Sequence, residues 1–238
     1  MTAFHIVSQG FQSVARAAQL LEMFTVERPA LSLGEITERL EVSKPTAHRY
    51  ATALRDAGLV RQADGAYTLG PRVVELASAA LAGLEVIEVA GPHLARLGAE
   101  TSQSAVLSVW DGEAPVVVRV HDAAAGRIVR IVVATGSRLP TASAQGIVFR
   151  AHMDRDDPDP ALAAARRDRL AYFPDVVEGI AALASPVLRG EEIVATIAVV
   201  GTSAAIARSP RAVMSRTLVA AADALSRELG HNDSGVGE

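Results

Sequence analysis

Between Ser43 and Arg49 the chain reads Ser-Lys-Pro-Thr-Ala-His-Arg, and Ser43, Lys44, Thr46, His48 and Arg49 share one chemistry, that of gripping a polyanion. Hydroxyls hydrogen-bond phosphate oxygens, a lysine ammonium is a compact point charge, and an arginine fork matches a phosphate or a guanine edge bidentately. On the opening turns of a recognition helix such residues reach base edges, while cationic and hydroxyl side chains also clamp phosphates. Arg49 is the first choice for a base or a phosphate contact, and its residue type does not separate the two. Arg61 and Gln62 follow on a predicted hairpin, where they touch a nucleic-acid backbone or minor groove, or simply form a charged edge. Arg16 and Arg55 either reach phosphate or stay solvated.

The elements that must position these side chains are legible around them. Val14, Ala17, Ala18, Leu21 and Phe24 form one helical stripe in a first helix that starts near Phe11 and stops before Pro29. Ser32 and Glu35 have capping-box spacing at the start of a second helix, whose buried face is Leu33, Ile36 and Leu40. Glu41-Val42 makes a turn. Ser43 is suited to the N-cap of a third helix and Pro45 to its first turn, with Ala47, Tyr50, Ala51 and Leu54 inward. Gly58 is the expected left-handed residue after that helix, with Leu59 as its apolar contact. Two short helices joined by a tight turn make a helix-turn-helix. Asp64-Gly65 between two short strand-like runs then predicts a hairpin, the wing of a winged helix. Pro71 opens a linker helix whose apolar positions cover more than one stripe, suiting it to pack on its own domain and on a partner chain.

The predicted organisation is a flexible arm over 1–10, a winged helix-turn-helix over 11–70, a linker helix over 71–84, a second domain over 85–230 and a polar tail over 231–238. The second domain begins with a helix from Glu85 to Glu100. Strand-like runs follow at Ser104–Val109, Val116–His121, Ile128–Ala134, Ile180–Leu188 and Ile193–Val200. Thr141–His152 reads as a turn into a helix, Ala161–Arg167 as a short helix, and Ala205–Leu229 as a long closing helix. Helices flanking one antiparallel sheet make an α+β sensor domain.

Composition sets bounds. The chain has no cysteine, which removes disulfides, thiolate catalysis and thiolate-bound zinc. The expectation is a cytoplasmic protein with no signal peptide and no membrane span, because no apolar run is long enough. The formal net charge is -4, and Lys44 is the only lysine. Acidic and basic residues balance up to Gly70, so DNA affinity must come from placement and from two copies on a palindromic or repeated site. No Gly-x-Ser-x-Gly, His-Glu-x-x-His, phosphate-binding or dinucleotide-binding glycine motif is present, so an enzyme is not expected. The pair His121-Asp122 lacks a nucleophile and reads as loop. Trp110 reads as core or interface. No cofactor and no metal is called for.

Taken as a linked set, these pieces resemble the IclR-type transcriptional regulators over nearly the full chain. The resemblance is carried by Ser13–Ala17 with Leu20-Leu21-Glu22, Leu33–Ile36, Lys44–Arg49, Ala57–Val60 and Tyr67–Gly70. In the second half it is carried by Gly136–Pro140, Ala144–Gly146 and Gly179–Val187. It implies a winged helix joined by a linker helix to a GAF-like effector domain. It also implies a homodimer or homotetramer that represses or activates operons for catabolism of small carbon compounds, with small organic or aromatic acids as effectors. The positions matching the family's pocket are Leu139, Ala144, Gln145, Gly146, Ile180, Ala182 and Ala198; Gln145 is the most informative, since a buried amide needs partners. The chain departs from the family at Thr141-Ala142-Ser143, which is one residue short and lacks a histidine. It also has Ala182 where cysteine is common, and Ala198 and Val200 where serines are common. These departures imply a more apolar pocket, suited to a bulkier or more hydrophobic ligand, or a second domain that serves only oligomerisation.

Overall fold

In the computed structural model the described residues are 12–26, 28–123, 133–206 and 212–232. The chain divides into two compact units, Met1–Gly83 and Leu84–Glu238.

The first unit runs α1 (Gln12–Glu22), β1 (Ala30–Ser32), α2 (Leu33–Leu40), α3 (Lys44–Asp56), β2 (Val60–Ala63), β3 (Ala66–Leu69) and α4 (Pro71–Ala82). Its core is a single cluster holding Leu20, Ile36, Leu40, Ala47, Ala51 and Tyr67, all at most 1% exposed. Each large apolar side chain buried this fully contributes about 1.5–3 kcal/mol. The buried position of α1 is Leu20, with Ala17 and Leu21 packed beside it and Phe24 buried just past the helix end. Val14 is 66% exposed and Ala18 is exposed, so the expected stripe is rotated toward the helix C-terminus.

Ser32 caps α2 in a complete capping box. Its hydroxyl accepts from Glu35 N–H at 3.2 Å, while the Ser32 N–H donates to the Glu35 carboxylate at 2.8 Å. Those bonds from Ser32 hold the Glu35 carboxyl below its usual range. The same capping strand, β1, pairs with β3 and makes the wing three-stranded in the order β1-β3-β2. Sequence reading missed β1 because three residues directly after Pro29 carry no alternation.

The end of α3 is a Schellman arrangement. Gly58 takes φ +75°, Gly58 N–H donates to Arg55 O and Leu59 N–H to Leu54 O, both at 2.9 Å. Asp64 and Gly65, at φ 51° and 79°, make the tight hairpin turn. A Cβ at Gly70 would fall 2.2 Å from Gly58 O, so the base of the wing is pressed onto the end of α3 by backbone alone. α4 differs from expectation: none of its residues is buried, and Val74, Leu76 and Leu81 are 68%, 56% and 38% exposed.

The second unit comprises α5 (Glu85–Thr101), β4 (Ser104–Trp110), β5 (Pro115–His121), α6 (Ala144–Met153), α7 (Pro160–Asp168), β6 (Ala171–Val177), β7 (Ile180–Arg189), β8 (Glu192–Thr202) and α8 (Val213–Asn232). The strands form one antiparallel sheet in the order β5-β4-β8-β7-β6. Strand alternation divides its side chains between two apolar layers. Leu107, Ile197 and Leu183 meet α5 and α8 on one face; Val106, Ala198 and Ala182 meet α6 and α7 on the other.

Three expectations are revised here. Most of the expected strand Ile128–Ala134 lies outside the described residues. Beyond it, residues 136–139 line the free edge of β5 through Gly136 N–H to Val117 O, Val117 N–H to Ser137 O and Leu139 N–H to Pro115 O. β6 was not expected, since Pro174 interrupts its run; a proline is tolerated because β6 is an edge strand. The closing helix starts at Val213 rather than Ala205, because residues 203–206 turn back on Thr202 O and bury Ile206. Among the described residues no helix is long and apolar enough to cross a membrane.

Candidate nucleic-acid interface and effector face

Packing decides which side of α3 is free. Ala47 and Ala51, both 0% exposed, and Leu54 turn into the core of the first unit. That leaves Ser43, Lys44, His48 and Arg49 exposed, with Thr46 half-buried between them. Pro45 lies in the first turn, where its missing N–H removes no helix bond. Ser43 has N-cap backbone geometry but does not cap with its side chain. Its hydroxyl pairs instead with the Thr46 hydroxyl at 2.9 Å. Pro45 has no N–H and Thr46 N–H donates to Ser43 O at 2.9 Å, so the anion-gripping capacity of this end rests on its three basic side chains. Among the described residues Lys44, His48 and Arg49 have no carboxylate within ion-pair distance, whereas Arg55 is paired with Asp56 at 3.2 Å.

On the wing, Arg61 and Gln62 are exposed on β2, opposite Thr68 and Tyr67 of β3. The Arg61 Nε–H donates to the Thr68 hydroxyl at 3.0 Å, which orients the guanidinium. Arg16 is the outlier of the predicted set. It is half-buried and donates to Leu40 O at 2.8 Å and to Gln19 Oε1 at 3.3 Å. It satisfies the last carbonyl of α2 and fastens α1 to it, a structural role that sequence spacing did not reveal.

In the second unit the structure gathers the predicted effector residues on the α6 side of the sheet. Ala144, Ala182 and Ala198 belong to one apolar cluster with Val106, Val148 and Val200, and Leu139 and Ile180 pack at its margin. Ser143 caps α6, its hydroxyl accepting from Gly146 N–H at 3.1 Å. A Cβ at Gly146 would fall 2.4 Å from Thr141 O, so the short Thr141–Ser143 turn folds directly onto the helix opening. Gln145 is buried at 3% exposure beside it. Two polar residues of this face escaped the sequence reading. Ser108 and Thr196 are 0% exposed, and their hydroxyls have no hydrogen-bond partner. The available signal was a hydroxyl residue inside each of two largely apolar strand runs.

Trp110 stacks at a tilt on Phe149 of α6, with ring centroids 5.4 Å apart, and so acts as core. His121 ends β5 and lies over Gly98 of α5, where a Cβ would meet its ring at 2.6 Å. Among the described residues no three acidic or histidine side chains are placed to hold a metal ion.

A family model described as the IclR helix-turn-helix domain matches residues 13–64, the stretch that contains α2, the turn and α3. Residues 13–64 thus resemble the DNA-binding domain of the IclR-type transcriptional regulators. The chain is 38% identical over 108 residues to the HTH-type transcriptional regulator Rv1719 of Mycobacterium tuberculosis, covering 44% of the chain and 41% of that relative. It is 27% identical over 151 residues to the transcriptional repressor IclR of Escherichia coli, covering 61% of the chain and 54% of that protein. The chain thus matches about half the length, or less, of these curated relatives. Its fold resembles a putative IclR transcriptional regulator from Silicibacter sp. TM1040, with 21% identity, TM-score 0.78, and coverage of 92% of the chain and 96% of that structure. It also resembles an IclR homolog of Microbacterium hydrocarbonoxydans solved with 4-hydroxybenzoate, with 24% identity, TM-score 0.75, and coverage of 92% and 99%. These relatives are named as transcriptional regulators.

Proposed function

We propose that this chain is a cytoplasmic transcriptional repressor that binds double-stranded operator DNA as a homodimer or homotetramer and is released or retained by a small organic effector. The observation that carries the DNA reading is the exposed opening of α3, where Lys44, His48 and Arg49 stand without a carboxylate partner among the described residues. Ser43, Thr46, Arg61 and Gln62 extend the contact set. Arg16 does not belong to it as a primary contact, because it is engaged on Leu40 O.

A second copy is supported by α4, which presents Val74, Leu76 and Leu81 without burying any of them. It is also supported by charge balance, since one copy has little net attraction for DNA. The effector reading rests on the α6 face. Its lining of Leu139, Ala144, Ile180, Ala182 and Ala198 suits an apolar or aromatic acid, with Gln145 and the opening of α6 at Gly146 as polar groups. The structural neighbour solved with 4-hydroxybenzoate supports that class. The effector biases one arrangement of the dimer, and α4 carries the bias to the paired α3 helices.

The test begins with selection of bound DNA fragments from the source genome, followed by Arg49→Ala. Loss of one base or phosphate contact costs about 1–3 kcal/mol, so operator affinity should fall about 5- to 150-fold while oligomer size stays unchanged. Unchanged operator affinity would remove α3 from the interface.

A further inference from the structure

The geometry points to Ser108 and Thr196 as a paired hydroxyl anchor for a hydroxyl group of the effector, making the ligand class a hydroxylated aromatic acid rather than a plain apolar one. The inference rests on the effector reading above and adds the residues that would set its specificity.

Strand alternation places both hydroxyls on the α6 side. On β4, Val106 belongs to the α6 layer and Leu107 to the opposite one, so Ser108 returns to the α6 side; Trp110, two residues further, touches Phe149 of α6. On β8, Ala198 and Val200 belong to the α6 layer and Ile197 to the other, which puts Thr196 beside them. β4 and β8 pair without a register shift, and Ser108 is the direct partner of Thr196. Side chains directly opposite on neighbouring antiparallel strands have Cβ atoms about 4.5–5.5 Å apart, close enough for one oxygen to bridge both.

Both residues are 0% exposed and neither hydroxyl has a partner. An unsatisfied buried polar group costs about 1–3 kcal/mol, so two side by side in an apolar layer are expensive for the protein alone. Two other buried hydroxyls of this unit are satisfied: Ser143 by Gly146 N–H and Ser185 by Arg169 O. Along the α6 side of the sheet, Val117 of β5 lies opposite Ser108 and Pro186 of β7 opposite Thr196, with Val106 and Ala198 forming the next pair and the Trp110–Phe149 rings beyond Ser108. Small aliphatic walls, aromatic edges and two unfilled hydrogen bonds describe a receptor for a flat ring bearing a hydroxyl. That hydroxyl can donate to one oxygen and accept from the other, so it satisfies both.

The test measures binding of 4-hydroxybenzoate and benzoate to the full chain by calorimetry, with the unliganded melting temperature as a fold check. It compares the natural chain with Ser108→Ala, Thr196→Val and the double variant, all nearly isosteric. The expected result is that the natural chain prefers 4-hydroxybenzoate by about tenfold or more, the scale set by a site built to hydrogen-bond a hydroxyl. In the double variant the preference should fall to near unity through loss of 4-hydroxybenzoate affinity alone, with the melting temperature unchanged or raised. If the natural chain binds both acids without preference, or if the preference survives in the double variant, the hydroxyl anchor is overturned and the effector reading stands. If the natural chain binds neither acid, the effector reading itself fails for aromatic acids and the anchor falls with it.

Discussion

At the scale of single residues, position in the fold assigns similar side chains to different work. Arg16 and Arg49 are both arginines on helices of the first unit, and composition treats them alike. Arg49 points away from the core with no acidic partner among the described residues, while Arg16 reaches across to close α2 at Leu40 O. Arg16→Met should therefore lower the melting temperature of the protein, because a carbonyl at the end of α2 loses its charged donor, at a cost of about 1.5–3 kcal/mol. The slope of operator affinity against salt should stay where it was. A slope reduced by about one, with stability intact, would return Arg16 to the phosphate-binding set. The difference was not legible in the sequence, since Arg16 and Leu40 lie 24 positions apart. By contrast, the exposed opening of α3 was legible, because Ala47, Ala51 and Leu54 at helical spacing leave only one face for Lys44, His48 and Arg49.

Among elements, the ones with local signals were read and the ones held by partners were missed. α2, α3 and the hairpin each carry their own punctuation in Ser32 and Glu35, Pro45 and Gly58, and Asp64-Gly65, so their limits follow from nearest neighbours in sequence. β1, β6 and the 136–139 edge have no such marks and exist because a neighbouring strand offers hydrogen bonds. The capping box makes a sharp prediction. Ser32→Ala removes the acceptor for Glu35 N–H and should cost about 1 kcal/mol in a urea melt. The Glu35 carboxyl lies below its usual range because Ser32 donates to its charged form. Its contribution is therefore fully present above the ordinary glutamate range and is lost as pH falls through the lowered value. The natural chain should lose this increment below pH of about 4.3, the ordinary glutamate value. Ser32→Ala loses the hydroxyl donor to that carboxylate but keeps the backbone N–H donor, so it should show a moderately shallower decline in an acid titration of stability, and parallel curves would count against the Ser32 hydroxyl as a stabilising donor.

For the whole molecule, the question is what two copies do that one does not. α4 exposes Val74, Leu76 and Leu81, spread over more than one stripe, in a helix that buries nothing, and an apolar helix surface of that kind is stabilised when a second copy covers it. Leu76→Glu should shift the protein toward smaller assemblies in sedimentation at micromolar concentration. Operator affinity should drop together with assembly size, while the affinity of an effector for the second unit, which has its own core, is kept. If size falls and operator affinity does not, a single copy suffices and the charge-balance argument is wrong.

The sequence by itself determined the two-part α+β plan, the helix-turn-helix with its wing and the residues facing outward from α3. Those features depend on periodicity, caps and turn residues, all set within a few positions of chain. It also placed Ala144, Ala182 and Ala198 together, through resemblance rather than physics. Tertiary structure alone decided the rest: that Arg16 binds a carbonyl, that Gly70 must be small to seat the wing on Gly58 O, and that α4 leaves its apolar residues uncovered. It also decided that Ser108 and Thr196 stand opposite each other with nothing to bond. Each of these depends on which distant segment arrives beside a residue, and a hydroxyl in a strand looks the same in sequence whether or not a partner is there to meet it.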